Sequence, residues 1–162
     1  IGSRGLGDVY KRQPQDSVLR AYVDNLDRFN LTRNQLQIDS KSYYSPVKGV
    51  VTDGFDIEKN HFAVDISVDI GTPVKAILAG TVLFSEWSVE TGHVILLDHG
   101  DNLISVYKHN SKILKSQNDN VQAGEVIAFS GEEGALSSGP HLHFEIWKNS
   151  LPIDPETILS FE

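Results

Sequence analysis

The sequence predicts a mainly β fold, an antiparallel sandwich or barrel, preceded by a short N-terminal helix. Three observations predict it. From Ser45 onward, short runs rich in valine and isoleucine are broken by glycine turns such as Asp53-Gly54, Gly92 and Gly100. Several of these runs alternate apolar and polar residues, the period of a strand with one buried face. Two segments share a pattern, Gly71-Thr-Pro-Val-Lys-Ala-Ile-Leu-Ala-Gly80 and Asn120-Val-Gln-Ala-Gly-Glu-Val-Ile-Ala-Phe129, which reads as a weak duplication of one β-hairpin unit.

Composition sets the bounds. The 162 residues, 40% hydrophobic and 22% charged, suffice for one globular domain and a short extension. A net charge of −8 with no Lys/Arg-rich run argues against a nucleic-acid or anionic-membrane surface. Cysteine is absent, which removes disulfides, thiolate metal sites and a cysteine nucleophile from consideration. No apolar run reaches the ~18 residues needed to span a bilayer.

The elements follow in order. Ile1–Gln13 has no amphipathic period, and its GLGDVYKRQ tail resembles translated sequencing-adaptor read-through. The expectation is that residues 1–13 are not native, and that a signal peptide or anchor was lost with the preceding sequence. Residues 14–44 read as a helical extension or linker, with Val18, Tyr22, Leu26 and Phe29 at helical spacing across Asp16–Leu31. Residues 45–162 form the β domain. Strands are predicted at Val47–Val51, Ala63–Val68, Pro73–Ile77, Gly80–Phe84, His93–Asp98, Leu103–His109, Glu125–Ser130 and His141–Trp147. Pro152-Ile-Asp-Pro155 reads as a closing turn.

The chemistry sits on histidines. In His141-Leu-His-Phe-Glu-Ile146, period 2 places His141, His143 and Glu145 on one strand face and Leu142, Phe144 and Ile146 on the other. A second element, His61-Phe-Ala-Val-Asp65, offers an imidazole and a carboxylate. Fully extended, that pair would stand about 13 Å apart, too far to share a metal with bonds of about 2 Å. The chain must therefore bend between them, with His61 in a loop and Asp65 on a strand. Two imidazoles and a carboxylate are the ligand types of a catalytic zinc centre that keeps its fourth position open for water. Tyr107-Lys108-His109, at the end of another predicted strand, adds a further imidazole.

Other polar and aromatic residues read as bystanders. His93 and His99 are taken as surface or structural, Glu145 as solvated rather than orienting a ligand, and Trp87 and Trp147 as core or rim. No G-x-S-x-G elbow and no H-E-x-x-H motif is present, so neither a serine hydrolase nor a helical zinc protease is indicated. A biotinyl or lipoyl carrier would need a lysine on a hairpin tip, whereas Lys75 falls within a predicted strand. A phosphotransfer protein would have no use for Asp65.

From about Ser45 to Phe161 the chain resembles the lysostaphin/LytM-type zinc metallopeptidases that cleave peptidoglycan peptides. The stretches that carry the resemblance are His61-Phe-Ala-Val-Asp65, Gly71-Thr-Pro-Val-Lys-Ala, Tyr107-Lys-His109, Val121-Gln-Ala-Gly-Glu-Val-Ile and Ser138-Gly-Pro-His141-Leu-His143-Phe-Glu. The resemblance implies a β-sandwich built on a duplicated hairpin, with an open active-site groove. It implies that His61, Asp65 and His143 bind one Zn2+, and that His141 and His109 serve catalysis without ligating it. It also implies peptidoglycan peptides as partners and an exported protein of the periplasm or cell envelope, tethered to a membrane through the lost N-terminal part. Some relatives have lost ligands and act only as activators of other wall hydrolases; here every position of the set is filled. Ala63 stands where glycine is common, and Gly131-Glu-Glu-Gly134 makes that loop unusually acidic.

Overall fold

A computed structural model describes residues 42–134 and 139–162. The helix expected over Asp16–Leu31 and the division at residue 13 lie outside them. The described chain is built almost wholly from antiparallel strands: β1 (Val50–Asp53), β2 (Val64–Ser67), β3 (Pro73–Lys75), β4 (Gly80–Ser88), β5 (Gly92–Asp98), β6 (Leu103–Ile113), β7 (Asn120–Val121), β8 (Val126–Ser130), β9 (His141–Lys148) and β10 (Leu151–Ile153). A single 3-10 turn, Pro155–Thr157, follows, opened by the Asp154 side chain accepting from the Glu156 N–H.

The main sheet runs β1-β2-β9-β6-β5-β4-β7, while β3 and β8 pair off this path and join it through β6. Its two faces bury two apolar clusters. The larger contains Val64, Ile66, Tyr107, Leu142, Phe144 and Ile146; the smaller gathers Val94, Leu96, Ile104, Val106 and Trp147. Strands β9 and β6 are central, with apolar side chains on both faces, so even their polar residues are drawn into the interior.

The two look-alike segments lie antiparallel against each other. Val74 pairs with Ala128 at one end, and Gly80 pairs with Val121 at the other. Between them, the Ala76 N–H donates to the Glu125 carbonyl and the Gly124 N–H to the Ala76 carbonyl. The repeated pattern thus reflects two similar hairpin halves that complete one another.

Several boundaries differ from expectation for identifiable reasons. Val47 is buried in the core but unpaired as a strand residue, and the ladder begins only at Val50. Strand β10 replaces part of the expected closing turn: Asn149 and Ser150 adopt positive φ (52° and 65°) and fold Leu151–Ile153 back on β9. Pro152 is tolerated because β10 pairs only with β9. Tyr43 packs against the larger core, ahead of the expected domain start at residue 45.

One buried hydrogen-bond chain ties the layers together. His99 Nδ1–H donates to the Ala79 carbonyl, leaving its Nε2 to accept from Ser105 Oγ at 2.6 Å. Ser105 Oγ then accepts from the Tyr107 hydroxyl at 2.8 Å, and that hydroxyl accepts the Ile77 N–H at 3.2 Å. Removing the link with Tyr107→Phe leaves the buried Ile77 N–H without its acceptor and Ser105 Oγ with one bond fewer. The expected cost is about 1–3 kcal/mol in denaturant unfolding; an equally stable variant would show that the chain contributes nothing.

Candidate metal centre

Register brings two of the candidate ligands together. Strands β2 and β9 pair so that Asp65 lies directly opposite His143, and paired residues on antiparallel strands share a face. The Asp65 Oδ1 to His143 Nδ1 distance is 2.9 Å. His61 arrives by the bend that the sequence demanded. It forms an isolated bridge with Asp56, following Asn60 at φ 57°, and precedes the buried pair Phe62 and Ala63. Its Nε2 then stands 3.3 Å from Asp65 Oδ2. One ligand atom each from His61, Asp65 and His143 lies within 4.8 Å of the others, and the three side chains are 18–19% exposed.

The hydrogen bonds around the ligands select which nitrogens face inward. His61 Nδ1–H donates to the Gly54 carbonyl at 2.7 Å, so it is Nε2, a buried atom with no hydrogen-bond partner, that faces the group. His143 Nε2–H donates to Glu145 Oε2 at 2.9 Å, leaving Nδ1 toward Asp65. Two imidazole lone pairs and a carboxylate therefore converge, a combination that repels itself unless a positive charge sits among them. Tetrahedral zinc with bonds of 2.0–2.2 Å holds its ligand atoms about 3.3–3.6 Å apart; the 3.3 Å between His61 Nε2 and Asp65 Oδ2 matches that span, and the 2.9 Å between Asp65 Oδ1 and His143 Nδ1 is shorter, a hydrogen-bond distance.

Without a metal, protons answer the same demand. Contact with Asp65 raises the His61 pKa to about 9, against burial. For Asp65, burial is outweighed by hydrogen bonds from His143 and His61, and its carboxyl falls well below the usual range. For His143, burial is likewise overcome by Asp65 and Glu145, and its pKa rises.

His141 and His109 sit beside this trio. His141 Nε2 is 3.9 Å from Asp65 Oδ1, and its Nδ1–H donates to the Gly139 carbonyl at 2.8 Å. His109 stacks edge-on to His141, with ring centroids 4.9 Å apart, and lies 5.8 Å from the His143 ring. Strand parity alone would not deliver it, because Lys108 already occupies the position opposite His143. Between the pairs His93↔Asn110 and Ile95↔Tyr107, Val94 opposes both Lys108 and His109, a bulge that places His109 at φ 66°. There β6 also changes partner, from β9 to β8. The His109 N–H donates to the Thr91 carbonyl and its Nδ1–H to the Glu133 carbonyl. Burial, then the neighbouring His143 charge, lowers the His109 pKa to about 4, so it is neutral at physiological pH.

The structure corrects one reading outright. Glu145 is 3% exposed rather than solvated, and accepts from His143, from Trp147 Nε1–H at 2.9 Å and from Lys108 Nζ at 3.1 Å. Its place on the ligand face was legible in the strand period; its burial required knowing that β9 is central. Trp147 is core, as expected, while Trp87 is 56% exposed and lines an open cavity of about 610 Å³ with His93, Glu133 and Gly134. His93 and His99 lie outside the ligand group; His93 faces Glu133 at 3.9 Å, and His99 serves the hydrogen-bond chain.

Comparison with known proteins shows the family. Residues 59–155 match the model of peptidase family M23, and the chain belongs to that family. It is 35% identical over 98 residues, 60% of this chain and 22% of the relative, to the DD-carboxypeptidase/endopeptidase Mpg of Neisseria meningitidis. The lysostaphin structure from Staphylococcus simulans superposes with a TM-score of 0.61 at 36% identity, covering 71% of this chain and 49% of that one. A zinc-containing peptidase from Vibrio cholerae superposes with a TM-score of 0.65 at 28% identity, covering 70% and 39%. The chain spans about a quarter of the length of several curated relatives it matches. The expected antiparallel β architecture is that of these M23 structures.

The linked protonation fixes a pH signature for metal-free protein. A raised His61 pKa, from 6.5 to about 9, gives stability that is complete below pH 6.5 and lost as pH climbs through 9. The lowered Asp65 contributes stability above its ordinary pKa near 4, lost as pH falls further. Thermal melts in chelator should therefore decline from pH 6.5 to 9, and added zinc should abolish that decline. A chelated protein growing more stable over that range would contradict the assignment.

Proposed function

We propose that this domain is a zinc-dependent metalloendopeptidase that hydrolyses peptide crosslinks of bacterial peptidoglycan. His61, Asp65 and His143 are its metal ligands; His141 and His109 are its catalytic pair. The observation that carries the reading is the convergence of a three-ligand set with two further imidazoles whose Nδ1–H groups are both tied to backbone carbonyls. A zinc ion held there supplies Lewis-acid chemistry, polarising the scissile carbonyl and lowering the pKa of a coordinated water to about 7.

The protein's own groups handle the protons. With Nδ1–H engaged by Gly139, His141 has an unprotonated Nε2 close to the ligand carboxylate, suited to accept the proton of the attacking water. His109 carries the same tautomer, so at rest it too is a proton acceptor. It becomes a donor, to the developing oxyanion or the leaving amine, only after protonation. Its low pKa makes that protonated form a strong acid, which favours passing the proton on.

Membership of the M23 family, a relative named as an endopeptidase and a zinc-containing structural neighbour all support peptide hydrolysis with zinc. The resemblance to lysostaphin-type enzymes supports peptidoglycan as substrate and an exported location, periplasmic or at the cell envelope. The acidic chain is consistent with a peptide rather than a nucleic-acid partner.

Digestion of purified peptidoglycan, with fragments identified by mass spectrometry, tests the proposal. His141→Ala should keep stoichiometric zinc yet lose about 10²–10⁴-fold in turnover, whereas His143→Ala should lose the metal. Undiminished cleavage by His141→Ala would remove it from the mechanism. Absence of cleavage by zinc-loaded unaltered protein would overturn the function.

A further inference from the structure

The ligand His143 rests on a second layer of polar groups that the catalytic scheme does not use. Glu145, two residues along β9 on the same face, places Oε2 against His143 Nε2 at 2.9 Å and Oε1 against Trp147 Nε1 at 2.9 Å. Lys108, opposite His143 on β6, reaches Oε2 at 3.1 Å. Both carboxylate oxygens are thus engaged, and the group is 3% exposed. The indole can only donate, so it holds the carboxylate turned with one oxygen toward Trp147 and the other toward His143.

We propose that Glu145, locked by Trp147 and Lys108, is a positioning residue that holds His143 in the Nε2–H tautomer and so presents Nδ1 to the metal. This rests on the zinc-site reading above. The geometry argues for it in two ways. A χ2 flip is opposed, because it would put Cε1 and Cδ2 where Nε2 and Nδ1 now meet Glu145 and Asp65, and the alternative tautomer is opposed, because it would aim the Nε2 lone pair at the Glu145 carboxylate. Lys108 supplies the opposing charge that lets a carboxylate remain ionised in the interior, where an unpaired one would be costly. Asp65 alone cannot select the tautomer, since it faces whichever nitrogen is presented.

The test is zinc affinity, measured by competition with a chromophoric chelator on the whole chain. Glu145→Ala should bind zinc 10–100-fold more weakly than the unaltered protein. Glu145→Gln keeps one acceptor for His143 Nε2–H but cannot also accept from Trp147, so its affinity should fall between the two. Because Glu145→Ala can also fail to fold, Glu145→Gln and Trp147→Phe serve as milder variants, each expected to weaken binding by several-fold. In the zinc-loaded unaltered protein, 15N NMR should show His143 protonated at Nε2 with its Nδ1 on the metal. Affinities within twofold across the folded variants, or a His143 bound through Nε2, would overturn the proposal while leaving the zinc site standing. Failure of the unaltered protein to take up zinc would sink both.

Discussion

The pairing of β2 with β9, in the register that sets Asp65 against His143, is the constraint on which the site depends. A slip of β2 by one residue would turn Asp65 away from the face of His143 and send Val64 and Ile66 out of the core. The same apolar set that makes the sheet bury itself therefore fixes the metal geometry. Folding and ligand placement are one event here, because the residues between the ligands are the core.

The remaining site residues come from departures from regular sheet. His61 precedes its strand in an isolated bridge, and His109 sits on a bulge in the left-handed region, where β6 exchanges one neighbour for another. The loop that anchors His109 is held close by Gly92 and Gly134, at φ 67° and 112°. A Cβ on Gly134 would come 2.7 Å from the Glu90 carbonyl oxygen. The irregularities at Asn60 and His109 serve to bring in side chains that period 2 cannot supply, while others, such as Asn149 and Ser150, serve turns.

Much of this was legible in the sequence. Alternation in His141–Ile146 separates the face of His141, His143 and Glu145 from the core face, as the structure has it, and the 13 Å argument for His61 and Asp65 correctly demands a bend. The duplicated pattern marks segments that pair with each other. What could not be read depends on distant neighbours. Nothing local in Glu145 or Lys108 says that they meet, because their contact is set by the β6–β9 register. Nothing in Tyr107-Lys-His109 announces a bulge, which becomes apparent only when Val94 is counted against two residues. Strands β7 and β10 are two and three residues long, too short for a periodic signal.

Every histidine near the centre has one nitrogen committed to a named acceptor: Gly54 for His61, Gly139 for His141, Glu133 for His109 and Glu145 for His143. The scaffold thereby fixes which nitrogen of each histidine keeps its proton and which one faces the centre. The most direct measurement is a crystal structure of zinc-loaded protein with anomalous scattering recorded at the zinc edge. The account predicts one zinc, 2.0–2.2 Å from His61 Nε2, His143 Nδ1 and an Asp65 oxygen, with a fourth position open. Zinc held by other residues, or by these histidines through their opposite nitrogens, would contradict it.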